Sequence, residues 1–310
     1  MMLSRRYKQL VVRYALLLSA GMALQLFLGG VDASFLSYPW TICVAMNYLY
    51  ILILLYAKSD SVKCLRRLYD RPAMLTSLAS MLVLTLLFGL IRQDGSTEGV
   101  WGWLGFTRMT SSWIFVLFLV HFMTVIGLKA VEDVHRWKQR KLPAVVMHVS
   151  FFIILASAII GSGEKVRVKV VTALDAPVSM GVTQDRKMYE LPFTLTLQEF
   201  VLEEYPLQVV VVDGEELLMP RREVKKFMSR VSVADEEGTR EVEILVNHPA
   251  RIGAWRIYQS GYDSARGKES TISILECVKD GWYPMIHIAM WMILMGGVMM
   301  FFVGHKKKKV

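Results

Sequence analysis

Cysteine is scarce in this chain: Cys43, Cys64 and Cys277 in 310 residues, with no Cys-x-x-Cys. That spacing argues against a zinc knuckle or a thiol-redox pair. Cys277 stands alone in the long polar segment 162–283, so no disulfide can form inside it. No glycine-rich phosphate cradle follows a strand pattern, and no nucleophile–base–acid set can be read. An independent hydrolase or transferase is therefore not expected. Acidic residues are also missing from one part of the chain. Segment 162–283 carries 16 Lys and Arg against 20 Asp and Glu, whereas the remainder carries 20 against only 7. The net charge of +9 thus belongs to the apolar part, where it suits anionic lipid and does not indicate nucleic acid.

What the chain has in abundance is apolar runs: 54% of residues are hydrophobic and mean hydropathy is +0.39. Six stretches, 11–30, 39–57, 72–91, 111–130, 144–161 and 284–303, are each long enough to cross about 30 Å of hydrocarbon. The first is followed by GGVDASFLSYPW, a poor cleavage site, and reads as an anchor, not a signal peptide. Basic clusters flank alternate ends: Arg5, Arg6 and Lys8; Lys58 to Arg71; Arg136 to Lys141; and Lys306 to Lys309. The loop 92–110 holds only Arg92 and Arg108. The positive-inside pattern then places both termini on the cytoplasmic face of the inner membrane and 162–283 outside. The charged stretch KAVEDVHRWKQRK (129–141) is expected to form a separate short amphipathic helix, with His135 solvated.

The external segment reads as β. PFTLTLQEF (192–200) alternates apolar and polar residues with period 2, and LQVVVVDGEELL (207–218) carries a hairpin Asp-Gly. SRVSVADEEGTREVEILV (229–246) reads as a second hairpin, and 166–172, 254–260 and 270–278 as further strands. The expected fold is an α-helical membrane protein with six transmembrane helices. An extracytoplasmic antiparallel β-rich domain, a sandwich or open barrel, is inserted before the last helix. The expected divisions are 1–161, 162–283 and 284–310.

His148 is the outstanding polar residue. It lies near the start of the apolar run PAVVMHVSFFIILASAIIG (143–161), and nothing near it in sequence neutralises it. An imidazole in hydrocarbon is costly and marks a functional site by default. Read from the residues alone, it is either a neutral imidazole bonded to a neighbouring helix or an axial ligand to haem iron. His121 sits deeper in the fourth run, at a different level, and is a poor trans partner for it. His287 reads as an interfacial residue and His248 as part of a structural Asn-x-Pro turn. Trp101, Trp103 and Trp113 fit an aromatic belt. Tyr258, Tyr262 and Asp263 read as a strand end with a buried tyrosine hydroxyl bonded across the sheet.

Four segments, HVSFFIILASAIIG (148–161), LPFTLTLQEFVLEEYP (191–206), VNHPARIGAWRIYQSGYD (246–263) and DGWYPMIHIAMWMILMGGVMMFF (280–302), resemble the ResB/CcsB family of cytochrome c biogenesis proteins. That family supplies the smaller subunit of a synthetase that carries haem across the membrane and attaches it to apocytochrome c. The resemblance implies transient haem b binding at His148, with the second ligand on a larger, tryptophan-rich CcsA/ResC-like partner. VWGWLG (100–105) only echoes that partner's haem motif and lacks its Asp. The chain is then a non-catalytic subunit of a haem lyase complex, in contact with the bilayer and apocytochrome c. The alternatives are a haem-free membrane scaffold or sensor, and an electron-transfer subunit, which would need level histidine pairs.

Overall fold

The computed structural model describes residues 5–33, 36–139, 141–184, 186–205, 209–212, 215–218 and 224–303. The lysine tail and the Asp213-Gly214 turn lie outside these residues. The chain divides into two compact units, residues 1–164 with 282–310, and residues 165–281.

The first unit is helical: α1 (Arg5–Leu28), α2 (Trp40–Lys58), α3 (Lys63–Arg66), α4 (Arg71–Leu90), α5 (Gly99–Trp103), α6 (Trp113–His135), α7 (Leu142–Ile160) and α8 (Tyr283–Val303). Six of these, all but the short α3 and α5, are long and apolar enough to cross a membrane. Helix α6 is the hub, with half of its apolar window buried, against 11–28% for the other five. Tyr48 of α2 bonds Thr124 of α6 at 2.7 Å. A Cβ on Gly127 would come within 2.6 Å of Leu52 and 2.8 Å of Phe152, so α2, α6 and α7 meet at a glycine. The hydroxyls of α4 bond back to their own helix, Thr76 to Pro72 and Ala73, Ser77 to Met74 and Thr85 to Met81, leaving none bare in an apolar helix. Leu75, Leu82 and Leu86 on the same helix are exposed, as lipid-facing residues would be.

The segment 129–141 is not a separate helix. Helix α6 runs unbroken through 129–135 and ends at the cap residue Arg136, followed by a single 3-10 turn, Trp137–Gln139. Lys129 pairs with Glu132 at 2.6 Å and Asp133 at 2.9 Å, one turn on, so these charges support the helix instead of ending it.

The second unit is antiparallel: β1 (Val166–Ala173), β2 (Pro177–Thr183), β3 (Met188–Glu204), β4 (Val209–Val212), β5 (Glu215–Leu218), β6 (Val224–Asp235), β7 (Gly238–Leu245), β8 (Ala250–Ile252), β9 (Trp255–Tyr262) and β10 (Ile272–Lys279). Eight strands form one continuous sheet, ordered β7-β6-β3-β2-β1-β10-β9-β8, and β4-β5 form a separate hairpin. The edge strands β7 and β8 follow each other in sequence and are linked by reciprocal backbone bonds between Leu245 and His248. The eight strands are thus one continuous sheet whose two edge strands meet at the β7–β8 turn. Its core takes residues from both halves, among them Val170, Leu195, Leu197, Val231, Ile244, Ile257 and Leu275. The period-2 reading of β3 holds through Leu191, Phe193, Leu195 and Leu197, each 4% exposed or less. Strands β2 and β8 had no sequence signal, because β2 opens on Pro177 and contains Gly181 and β8 is three residues long.

The strand β9 carries a correction. Trp255, Ile257 and Gln259 point inward and are buried, which turns Tyr258 to the other face. No hydrogen bond from either tyrosine hydroxyl is found among the described residues. Tyr262 instead packs its ring on Phe200 and Phe227, 5.1 Å from each. The buried polar group of this motif is Gln259, whose Nε2 donates to Ser273 Oγ at 2.8 Å. Ser229 Oγ donates to the same oxygen at 2.7 Å, and Thr172 to the Ser273 carbonyl.

Candidate functional site

His148 is the seventh residue of α7, about 9 Å of helix rise from its start. Pro143 occupies the first turn, where its missing N–H costs nothing. The imidazole is not isolated, as the sequence implied, because its Nδ1 lies 2.6 Å from Asp133 Oδ2 on α6. The pairing follows from the antiparallel α6–α7 hairpin, whose 136–141 turn brings the end of one helix beside the start of the next.

Asp133 is the most buried charged group in this unit among the described residues, at 1% exposure. A buried carboxylate costs several kcal/mol unless paired. Lys129 Nζ lies 2.9 Å from its Oδ1, as an ion pair off the angle of a hydrogen bond, and His148 satisfies Oδ2. A carboxylate accepts, so Nδ1–H donates, and the Nε2 lone pair is free of hydrogen bonds among the described residues. This arrangement fixes the tautomer and the ring orientation, with Nε2 left as the acceptor nitrogen.

His148 also borders a cavity of about 400 Å³, lined by Arg66, Tyr69, Asp70, Arg71, Met74, Lys129 and Glu132. That size is within the ordinary range for a small-ligand site. The cavity lies at the α6–α7 turn end of the bundle, beside the α2–α4 connection. Tyr69 bonds Ser59 at 2.9 Å, and burial pushes its hydroxyl above the usual phenol range. A free imidazole nitrogen on a polar cavity, with a carboxylate behind it, fits a haem iron ligand. Among the described residues, no group of three or more His, Cys, Asp or Glu converges as a metal site.

The other histidines lie elsewhere. His121 is 12 residues before Asp133 on α6, about 18 Å of rise away from the His148 level. Its ring packs edge-on against Tyr14, 5.5 Å between centroids, and its Nε2 lies 3.4 Å from the Tyr14 hydroxyl. His287 is exposed and packs its ring, tilted by 40°, against Tyr283, with its Nε2 3.1 Å from that hydroxyl. His248 is exposed in the β7–β8 turn, and His135 packs against Tyr56. Trp101 and Trp103 are exposed, and Trp101 stacks on Phe106.

Sequence reasoning missed Asp133, Lys129 and the cavity arginines. The one available signal was a lone Asp in continuous helical register with an apolar run, hidden by reading 129–141 as a separate element.

Residues 136–282 match the model of the ResB-like family, a span that holds His148 and every strand. No curated protein matches the chain. Among solved structures, a cytochrome c haem lyase, CcmF, is similar over 93% of this chain at 14% identity and a TM-score of 0.34. The chain spans 43% of the length of that protein.

Proposed function

We propose that this protein is a haem-handling, non-catalytic subunit of a cytochrome c biogenesis system. The observation that carries the reading is the Asp133–His148 pair, with Nε2 uncommitted, on a polar cavity at one end of a six-helix bundle. The match of 136–282 to the ResB-like family supports the same reading, because His148 falls inside the matched span. Haem b is the cargo. Its iron takes Nε2 of His148 on one side and a ligand from a larger, tryptophan-rich CcsA/ResC-like subunit on the other. Asp133 holds the Nδ1 proton and so keeps the ring turned and electron-rich. Lys129 balances the carboxylate when no iron is present. The basic flanks support a position of the His148 end at the cytoplasmic leaflet of the inner membrane, where haem is received. On that topology the β-rich unit is extracytoplasmic, and it braces the partner or guides apocytochrome c.

The test is optical. Purified with its larger partner in mild detergent, the protein is expected to carry b-type haem with a sharp Soret band. His148→Ala is expected to lower both that haem and cytochrome c maturation. Unchanged haem content and maturation would sink the reading.

A second reading is favoured by the same ion pair: Lys129, Asp133 and His148 are a structural clasp in a haem-free scaffold. Asp133→Asn separates the two. The scaffold reading expects a lower thermal midpoint and no haem signal at all in the wild-type complex.

A further inference from the structure

The geometry points to Arg66 and Arg71 as the carboxylate-binding edge of the His148 cavity, the two guanidinium groups receiving the two propionates of the porphyrin whose iron His148 holds. This rests on the haem reading above and adds how the cargo is oriented.

The cavity holds three cations and two acids in its wall, but their charges are not equally free. Asp70 is satisfied by Arg6, 2.7 Å away, and accepts the backbone N–H of Ala73 as the cap of α4. Glu132 is satisfied by Lys129 at 2.6 Å, and Lys129 is shared with Asp133. Arg66 and Arg71 remain, and among the described residues neither has an ion pair or a side-chain hydrogen bond. Both line the same cavity as His148 and both are exposed on its polar side. They sit on consecutive elements, Arg66 ending α3 and Arg71 beginning α4, which fixes them on one rim.

Haem is amphipathic, with an apolar ring and two carboxylates on one edge. Guanidinium groups match carboxylates by charge and by a two-pronged hydrogen-bond geometry. Two uncompensated guanidinium groups on the rim, with the iron-binding nitrogen on the cavity wall, bind such an edge in one orientation. The carboxylates then face the aqueous end of the bundle and the ring lies against the helices. Lipid phosphates also attract exposed arginines, but they need no histidine-bordered cavity beside them.

The experiment titrates the detergent-solubilised complex of the full chain with its larger partner, stripped of haem. It compares iron protoporphyrin IX with its dimethyl ester, which keeps the ring and iron and loses both negative charges. The wild type is expected to bind the free acid at least tenfold more tightly than the ester. Arg66→Gln with Arg71→Gln is expected to weaken the free acid roughly tenfold per arginine, the usual loss for one charge-assisted hydrogen bond, and to leave the ester unchanged. Arg66→Lys with Arg71→Lys, which keeps the charges, is expected to recover part of the loss. Equal binding of acid and ester by the wild type overturns the proposal. So does an equal loss of both in the glutamine variant, which would report damage to the fold. If the arginine variants bind both porphyrins normally while His148→Ala loses haem, the arginines face lipid and only this proposal fails. If His148→Ala leaves the Soret band unmoved, or the wild type binds neither porphyrin, the haem reading fails with it.

Discussion

At the scale of single residues, the molecule places two polar groups where burial makes them expensive and holds them differently. Asp133 is held by an ion pair and an imidazole across a helix hairpin. Asp133→Asn keeps the shape but weakens the hold on Nδ1. On the proposed haem reading, haem affinity is expected to fall 10- to 100-fold, the usual cost of losing the carboxylate behind a metal-binding histidine. A shift in the reduction potential of the remaining haem, read by spectroelectrochemistry, would distinguish tuning from mere packing. Gln259 is held through its Nε2 alone, which donates to the Ser273 hydroxyl and the Gly261 carbonyl, while its buried Oε1 has no hydrogen-bond partner among the described residues. Gln259→Ala takes one donor each from Ser273 Oγ and the Gly261 carbonyl and is expected to cost about 1–3 kcal/mol. Cys277 reports this directly. It is fully buried beside Glu276, and burial pushes its thiol up to about 12 from an ordinary 9.0. In a background with Cys43 and Cys64 replaced by serine, Cys277 is expected to react with a thiol reagent only on opening, and about tenfold or more faster in Gln259→Ala. The same thiol gives a pH dependence with a fixed sign. The folded state favours the neutral form, so the contribution is constant below about pH 9. It is lost progressively as pH rises toward 12. Cys277→Ala is expected to flatten that fall in stability, measured by urea unfolding at stepped pH.

At the scale of elements, α6 decides the arrangement of the bundle. It is the most buried helix, it carries Asp133, and its glycine lets α2 and α7 approach. Gly127→Val would drive two methyl groups into Leu52 and Phe152. Overpacking of this kind costs typically about 1–3 kcal/mol. The expected result is a lower thermal midpoint in detergent together with reduced haem loading, because α7 carries His148 on the displaced face. An unaltered midpoint would mean that the helices separate without cost and that the close approach is not needed. On α8, Gly296 does the same for α7: a Cβ there would stand 2.8 Å from Met147, the neighbour of His148.

At the scale of the whole molecule, the helical and β units are joined through two chain segments, one after α7 and one before α8. The proposed topology puts Cys64 and the β6–β7 turn on opposite sides of the membrane. A cysteine introduced at the exposed Glu237 is expected to label with an impermeant maleimide in intact right-side-out cells, and Cys64 only after permeabilisation. Labelling of Cys64 in intact cells would reverse the orientation and move the His148 end to the outer leaflet.

Much of this was already legible in the one-dimensional pattern. Six apolar runs, the alternation in β3, the paired hairpins and the outlying His148 all rest on local periodicity, or on the cost of a polar group in an apolar run. Those quantities depend on near neighbours, so sequence alone determines them. The tertiary structure decided what depends on distant residues meeting. Extending α6 through its charged end required Lys129 to find Glu132 and Asp133. Giving His148 its carboxylate required a helix hairpin, and setting Arg66 and Arg71 on its cavity required the α2–α4 connection to fold over the same end. In β9, parity and not residue type chose Gln259 over the tyrosines as the buried group. The identity of the elements is a local free energy, whereas the chemistry of the site is a sum of pairings between side chains that sequence order keeps apart.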